Sequence, residues 1–454
     1  MQQELRQLRN LMLKNTAPIY FADWCHYIAL GMEKHIGNLH FLCATDNFNG
    51  NHPNLYMPPG FEYDNSLASE QTLNALLRND KLRTFLKKRG NGKFLTWLFD
   101  EETEELLSEL GLELCLPTHA LRMQWDNKVN TNRLAERAAV PCVPYVISAI
   151  HDFEHLCNLT VSIGKDLVVQ MPHGMSGTST FFISKETDFD KHREEICNGE
   201  EMKIMKRINC RAAGLEACVT RNGVVTTPLV VELFGQPELT VYEGAWCGNE
   251  FLSESFSMEI REMASEYTVK MGEALRDEGY KGYFEADFLI DEDTGTLYLG
   301  ELNLRFSGFT PLINNSNQAH NDIPLFVLHL AEWMDIDYKL DTAALNRYWL
   351  KPENIKQLSF LYVKNPIEKP AEYAKTGVYS IGVDGIPQYN RFALGPEALI
   401  SDHELFWFSL VSSNSIIGKG DELGALIYRK AVTDDGKYLN KSTKKILNAF
   451  LPAE

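Results

Sequence analysis

Along residues 1 to about 120, short apolar runs such as HFLCA (40–44) alternate with helix-patterned stretches such as EETEELLSELG (101–111), which predicts a small α/β domain. From about 121 the pattern changes. A helix is expected to take Asp126 as its N-cap and to run through Leu134 and Ala138 to the stop at Val140-Pro141. Apolar runs LVVQM (167–171) and TFFIS (180–184) flank PHGMSGTST, whose clustered Gly and Ser predict a loop between two strands. KIMKRI (203–208) and VVTTPLVVEL (224–233) add strands. In SMEIREMASEYTVKMGEALRDEG (257–279), Ile260, Met263, Tyr267, Met271 and Leu275 recur at helical spacing, so one amphipathic helix packs that stripe in the core. GYFEADFLI (282–290) and TLYLGELNLRF (296–306) follow as two strands, joined by the turn DEDTG into an antiparallel hairpin. Beyond about 340, short strand patterns such as PAEYAKTGVYSIGVDGIP (370–387) predict a small, mostly β region. The expected division is 1–120, 121–335 and 336–454, with no internal repeat or low-complexity tract.

The hairpin carries candidate chemistry. Strand residues alternate in direction, so Leu297, Leu299, Glu301, Asn303 and Arg305 are expected on one face, which turns from apolar to charged. Closing the DEDTG turn brings Asp287 nearly opposite Glu301. Carboxylates placed so repel, and buried ones are costly unless paired or bound to metal. Mg²⁺ resolves the conflict, because it takes oxygen ligands such as Asp287, Glu301 and Asn303 together with substrate phosphates. Read alone, ExNxR fits equally a solvated strand face with Glu301 and Arg305 as an exposed ion pair. Order along the chain favours the site: the helix bearing Lys128 comes first, then the Gly-rich loop in its own hairpin, then the carboxylates. Backbone N–H groups of GMSGTST can cradle an anion. It is not a P-loop, since no GxxxxGK[ST] occurs. His151 and His155 read as a solvated helix start, and Cys247 as either a pocket wall or an inert buried thiol.

Composition narrows the picture. No stretch approaches the roughly 20 apolar residues of a membrane span. The net charge of −18 disfavours nonspecific nucleic-acid binding. The N-terminal MQQELRQLRNLMLKN lacks a signal-peptide pattern, which points to the cytoplasm. Nine cysteines without a CxxC pair point to free thiols in a reducing compartment and away from zinc.

Over residues about 121–335 this arrangement resembles the ATP-grasp superfamily, in which two α+β lobes clasp ATP. The resemblance implies that fold, with an N-terminal α/β pre-ATP-grasp domain and a small mostly β C-terminal region. It implies ATP with one or two Mg²⁺ ions, Mn²⁺ being an acceptable substitute. Asp287, Glu301 and Asn303 match the metal ligands, and Arg305 the arginine that steadies an acyl phosphate. WDNK matches the lysine site, so Lys128 would touch the phosphates and, with Arg305, act in catalysis. Gly174, Ser176, Gly177, Thr178 and Ser179 match the mobile phosphate loop, and Met205, Lys206, Arg207 and Ile208 the hinge beside adenine. KRINCRAAGLEACVTRNGVV and PELT...GAWCGNE look most like carboxylate–amine ligases of natural-product peptide assembly. That narrower likeness implies amide formation through an acyl phosphate, with release of ADP and phosphate. The implied partners are small carboxylates and amines, amino acids or peptides, and a second copy as a homodimer, with no nucleic acid or membrane. A carboxylase-like or thiol-ligating enzyme, and a non-catalytic nucleotide-binding module, stay open. Two positions depart from the pattern: Gln170 stands where a second phosphate-binding lysine is usual, with Lys203 or Lys206 as substitutes, and Glu216 comes late for the acidic ribose contact.

Overall fold

The computed structural model describes residues 2–174, 179–241, 244–316, 323–367, 374–411 and 418–451. The first sheet is parallel: β1 (Ile19–Asp23), β2 (Leu39–Cys43), β3 (Leu55–Tyr56), β4 (Lys93–Leu95) and β5 (Glu113–Leu114) lie in the order β3-β2-β1-β4-β5. All five residues of β1 are buried, as a parallel strand covered on both faces requires. Strand order reverses between β1 and β4, which opens a crevice at their carboxyl ends.

A second, antiparallel sheet is built from β6 (Tyr145–Ser148), β7 (Leu167–Gln170), β8 (Thr180–Ile183) and β9 (Met202–Lys206), in the order β6-β9-β7-β8. It has its own core, in which Leu156, Val169, Phe181, Phe189, Ile196 and Ile204 pack together.

The third sheet holds β10 (Cys210–Thr220), β11 (Gly223–Thr226), β12 (Val230–Phe234), β13 (Trp246–Glu250), β14 (Gly282–Asp291) and β15 (Leu297–Asn303). It continues through β16 (Ser359–Lys364), β17 (Gly377–Ile381), β18 (Pro387–Arg391), β19 (Glu404–Ser409) and β20 (Glu422–Tyr428). The order is β15-β14-β10-β12-β13-β16-β20-β19-β17-β18, with β11 beside β10. The strands after residue 336 therefore extend the sheet of the middle region. The seam is the β13–β16 pair, where Gly248 lies opposite Leu361. Gly248 has φ +144°, and a Cβ there would come within 2.1 Å of the Phe360 carbonyl oxygen, so this approach of two backbones needs glycine.

Several expectations are refined. Asn127, not Asp126, caps the helix Lys128–Arg137, its side chain accepting from the Val129 and Asn130 N–H groups; Asp126 instead ends the helix His119–Trp125. VVTTPLVVEL is two strands, β11 and β12, split at Pro228, which has no N–H for a ladder. The long helix is Met258–Asp277, capped by Ser257. Its innermost face includes Ala264, Thr268 and Gly272 besides Met271 and Leu275, while Ile260, Met263 and Tyr267 flank the core half-buried. DEDTG is a turn held by Asp291 Oδ1, which accepts from Asp293 N at 2.9 Å and Thr294 N at 3.3 Å. All nine cysteines are free. No helix of the described residues is long and apolar enough to cross a membrane.

Candidate active site

The β14–β15 hairpin sets Asp287 opposite Glu301 and Glu285 opposite Asn303. The expected alternation along β15 breaks on the way. Leu299 pairs with Phe288 and Glu301 with Asp287, so Gly300 is an extra residue, a bulge that resets the strand's phase. Glu301 and Asn303 consequently share a face with Tyr298, not with the buried Leu297 and Leu299 as plain alternation requires.

Around this hairpin the charges interlock. Asn303 Nδ2 donates to Glu285 Oε2 at 2.7 Å and to Asp287 Oδ2 at 3.0 Å, while its Oδ1 accepts from Arg305 Nη2 at 2.9 Å. Lys128, at the first position of its helix, sets Nζ 3.0 Å from Glu301 Oε2 and 3.2 Å from the Gly174 carbonyl oxygen. Arg305 Nε faces Asp126 Oδ2 at 3.5 Å. Lys203, only 1% exposed, donates to the Gly300 carbonyl at 2.7 Å. It stands directly across from Gln170 in the β7–β9 ladder, so a cation sits on the strand next to the one where a lysine is missing. The Gln170 amide itself donates to Thr180 Oγ1 at 3.2 Å.

Glu232, Glu285 and Asp287 each offer a carboxylate oxygen within 4.8 Å of the others. Burial, with Glu285, Glu232 and Glu301 alongside, raises the Asp287 carboxyl well above its ordinary range, and burial raises Glu232 and Glu285 too. Glu301 differs: burial pushes it up, but Lys128, Lys203 and Arg305 outweigh burial and hold it below its usual value. Asp287 Oδ1 is buried with no hydrogen-bond partner. An orphaned carboxylate oxygen among converging acids fits a divalent cation with oxygen ligands.

Of these groups, Lys128, Glu232, Asp287 and Glu301 line a cavity of about 840 Å³. Its walls include Lys128, Gln170, Gly174, Ser179, Asp287 and Glu301 together with Met205, Lys206, Arg207 and Ile208, the residues expected at the hinge. Val168, Leu289 and Met205 form an apolar strip between the lobes. Gly174 has φ +154°, and a Cβ there would lie 1.8 Å from Ser179 Oγ, so the loop's entry demands glycine. Ser176, Gly177 and Thr178 lie outside the described residues. Asn303 and Arg305 stand behind the cavity wall, acting through Glu285, Asp287 and Asp126.

Sequence reasoning missed Glu285 and Glu232. Glu285 had a signal, since it stands two residues before Asp287 on the same strand face; Glu232 had none, because only the folding of β12 onto β10 brings it in. Glu216 is no ribose contact: it is fully buried away from the cavity and accepts hydrogen bonds from Ser307, Thr310 and Tyr283. Cys247 is a buried thiol whose Sγ donates to the Ala245 carbonyl at 3.3 Å. His151 is exposed just before the helix Phe153–Leu159, and His155, in its first turn, is half-buried.

No family model matches the sequence. Over 242 residues, 50% of this chain and 55% of the relative, the chain is 25% identical to the "[Butirosin acyl-carrier protein]--L-glutamate ligase" of Niallia circulans; it thus spans about half the length of that relative. Likeness to solved structures extends over about nine-tenths of the chain. The biotin carboxylase–β,γ-ATP complex of Campylobacter jejuni aligns with a TM-score of 0.63 at 14% identity, covering 93% of this chain and 88% of that one. The biotin carboxylase domain of Hydrogenobacter thermophilus 2-oxoglutarate carboxylase, in complex with MgADP, ADP and bicarbonate, aligns with a TM-score of 0.62 at 14% identity, covering 92% and 87%.

Proposed function

We propose, on the premise of the ATP-grasp fold that this chain has, that it is an ATP-dependent ligase joining a carboxylate to an amine through an acyl phosphate. One observation carries this reading: Asp287, Glu285, Glu232, Glu301 and Lys128 converge in and just behind the wall of a cavity that residues 205–208 also line.

On this reading the base lies against Val168, Met205 and Leu289, and the phosphates run toward Lys128 and the loop entry at Gly174 and Ser179. Asp287 and Glu301 would hold Mg²⁺, with Glu285 and Glu232 completing the acidic set and Asn303 joining them on turning its amide oxygen from Arg305, and the ion would neutralise phosphate charge. The substrate carboxylate attacks the γ-phosphorus, ADP departs, and the amine then attacks the acyl carbon and expels phosphate. Arg305 and Lys128 offset the negative charge that develops along this path, so catalysis rests on positioning and fixed charge, with no side-chain nucleophile. The name of the Niallia relative adds a second reading, in which a carrier-protein group takes the place of the free amine.

The test is ADP and phosphate release from MgATP across carboxylates, bicarbonate included, paired with amines or a carrier protein. ADP formed only with a carboxylate–amine pair, together with the matching amide mass, supports the ligase. AMP in place of ADP refutes the acyl phosphate, and turnover with a carrier protein alone selects the second reading. Glu301→Ala is expected to abolish turnover while nucleotide binding stays measurable by calorimetry; normal turnover in that variant would overturn the metal assignment.

A further inference from the structure

Asn249 lies inside the third sheet with none of its side chain exposed. It faces Glu232 across the β12–β13 ladder and Phe360 across the β13–β16 ladder. A bulge shapes this stretch. Leu233 pairs with Gly248 and Phe234 with Trp246, so Cys247 is an extra residue and Trp246 comes round to the face of Asn249 and Glu232. Glu232 and Phe234 both line the cavity of the candidate site, which makes this the cavity face of the sheet.

The Trp246 indole donates from Nε1 to Asn249 Oδ1 at 2.7 Å. An indole N–H can only donate, so this contact fixes which way the amide points, oxygen toward Trp246 and nitrogen away from it. Nδ2 is buried and closes no hydrogen bond among the described residues. Of the two side chains opposite Asn249, Phe360 has no acceptor and Glu232 has a carboxylate. Asn249 acts on that carboxyl, lowering it against burial, Glu285 and Glu301, which raise it. Glu232 Oε1 in turn lies over Gly214, 3.1 Å from where a Cβ would stand, and Gly214 is the ladder partner of Asp287. The missing side chain leaves room for Glu232 beside Asp287. Trp246 itself is clamped: its ring stacks on Phe360 at 6.0 Å and 24°, meets Tyr362 at 5.5 Å, and rests on Gly308, where a Cβ would come within 2.8 Å of two ring carbons. Such packing opposes any rotation that would take the indole N–H from Asn249.

We propose that Asn249, held by Trp246, is a positioning residue of the cation site: its N–H group donates to one oxygen of Glu232 and leaves the other aimed at the ion shared with Asp287 and Glu285. Donors behind a ligating carboxylate set its orientation and with it the affinity for the metal. Neither Asn249 nor Trp246 touches the cation, so the pair acts through Glu232. The assignment rests on the ligase reading and its Mg²⁺.

The test reads the metal and not turnover. The full chain is saturated with ADP and titrated with Mn²⁺, the free ion being followed by electron paramagnetic resonance. Trp246→Phe keeps an aromatic ring and removes the indole N–H, and Asn249→Leu keeps the bulk and removes the amide. Each is expected to weaken Mn²⁺ binding about tenfold. The double variant is expected to lose no more than Asn249→Leu alone, because Trp246 works through Asn249. In a Glu232→Ala background, Trp246→Phe is expected to leave Mn²⁺ affinity where it was, and a further loss there overturns the route through Glu232. Additive losses in the double variant overturn the proposal, as does a lowered Tm in Trp246→Phe with Mn²⁺ affinity unchanged, which marks a structural role alone. Trp246→Phe is the milder change and decides by itself where Asn249→Leu fails to fold. No Mn²⁺ uptake by the unaltered chain overturns the metal centre and this proposal together, whereas equal uptake by every variant overturns the proposal alone.

Discussion

Lys203 is a residue whose importance lies in its surroundings. Burial lowers its pKa, and it is kept in place by the Gly300 carbonyl and the field of Glu301. Facing Gln170 across the ladder, it restores a positive charge that Gln170 does not supply. Lys203→Met is therefore expected to cut kcat by about 10²-fold, as removal of a fixed charge near a transition state does, whereas Gln170→Lys leaves steady-state activity equal or higher. Asp23 shows the reverse case of burial without compensation. Desolvation pushes its carboxyl up to about 8, with Glu70 and Glu422 adding to the rise and the Trp24 N–H opposing it. A folded-state pKa raised this far means the native state keeps a proton that the unfolded chain releases, so stability is full below pH 4 and is lost as pH climbs toward 8. Asp23→Asn is expected to flatten that loss, giving a Tm above that of the unaltered chain at pH 8 to 9 and close to it at pH 5; the two melting curves against pH decide it.

At the scale of elements, the β14–β15 hairpin keeps its acids on one face by taking up Gly300 as a bulge. Deleting Gly300 closes the bulge in the register already present, so Glu301 stays opposite Asp287; MgATP turnover is expected to fall only through loss of the carbonyl to which Lys203 donates, while far-UV circular dichroism changes little. The hairpin itself was legible: DEDTG is a strong turn signal, strand length fixed the register, and Asp287 came out opposite Glu301. The bulge was not legible, since Gly300 in YLGEL reads as an ordinary strand residue and alternation has no term for an insertion. The helix bearing Lys128 was legible in extent but not at its start, because Asp126 and Asn127 both cap well and only the tie between Asp126 and Arg305 assigns them different duties. The strand in KIMKRI was legible, whereas the hinge role of 205–208 came from the resemblance alone; these four residues line the cavity.

At the scale of the whole molecule, three sheets meet around two cavities, one rimmed by cations and carboxylates and the other by carboxylates and aromatic rings. This level was the least visible in the sequence. Residues 336–454 read as a region apart, yet β16 completes a ladder begun by β13, more than a hundred positions earlier, and no local pattern announces such a pairing. A chain ending at residue 335 would bare the β13 edge and the apolar partners of Phe360 and Leu361, so it is expected to aggregate, as the soluble fraction after expression would report. The glycine seam then has a practical side. Because Gly248 lets two backbones touch and zip without a side chain between them, segments 1–335 and 336–454 made as separate polypeptides in one cell are expected to reassemble into a working whole, each acting as the other's missing edge.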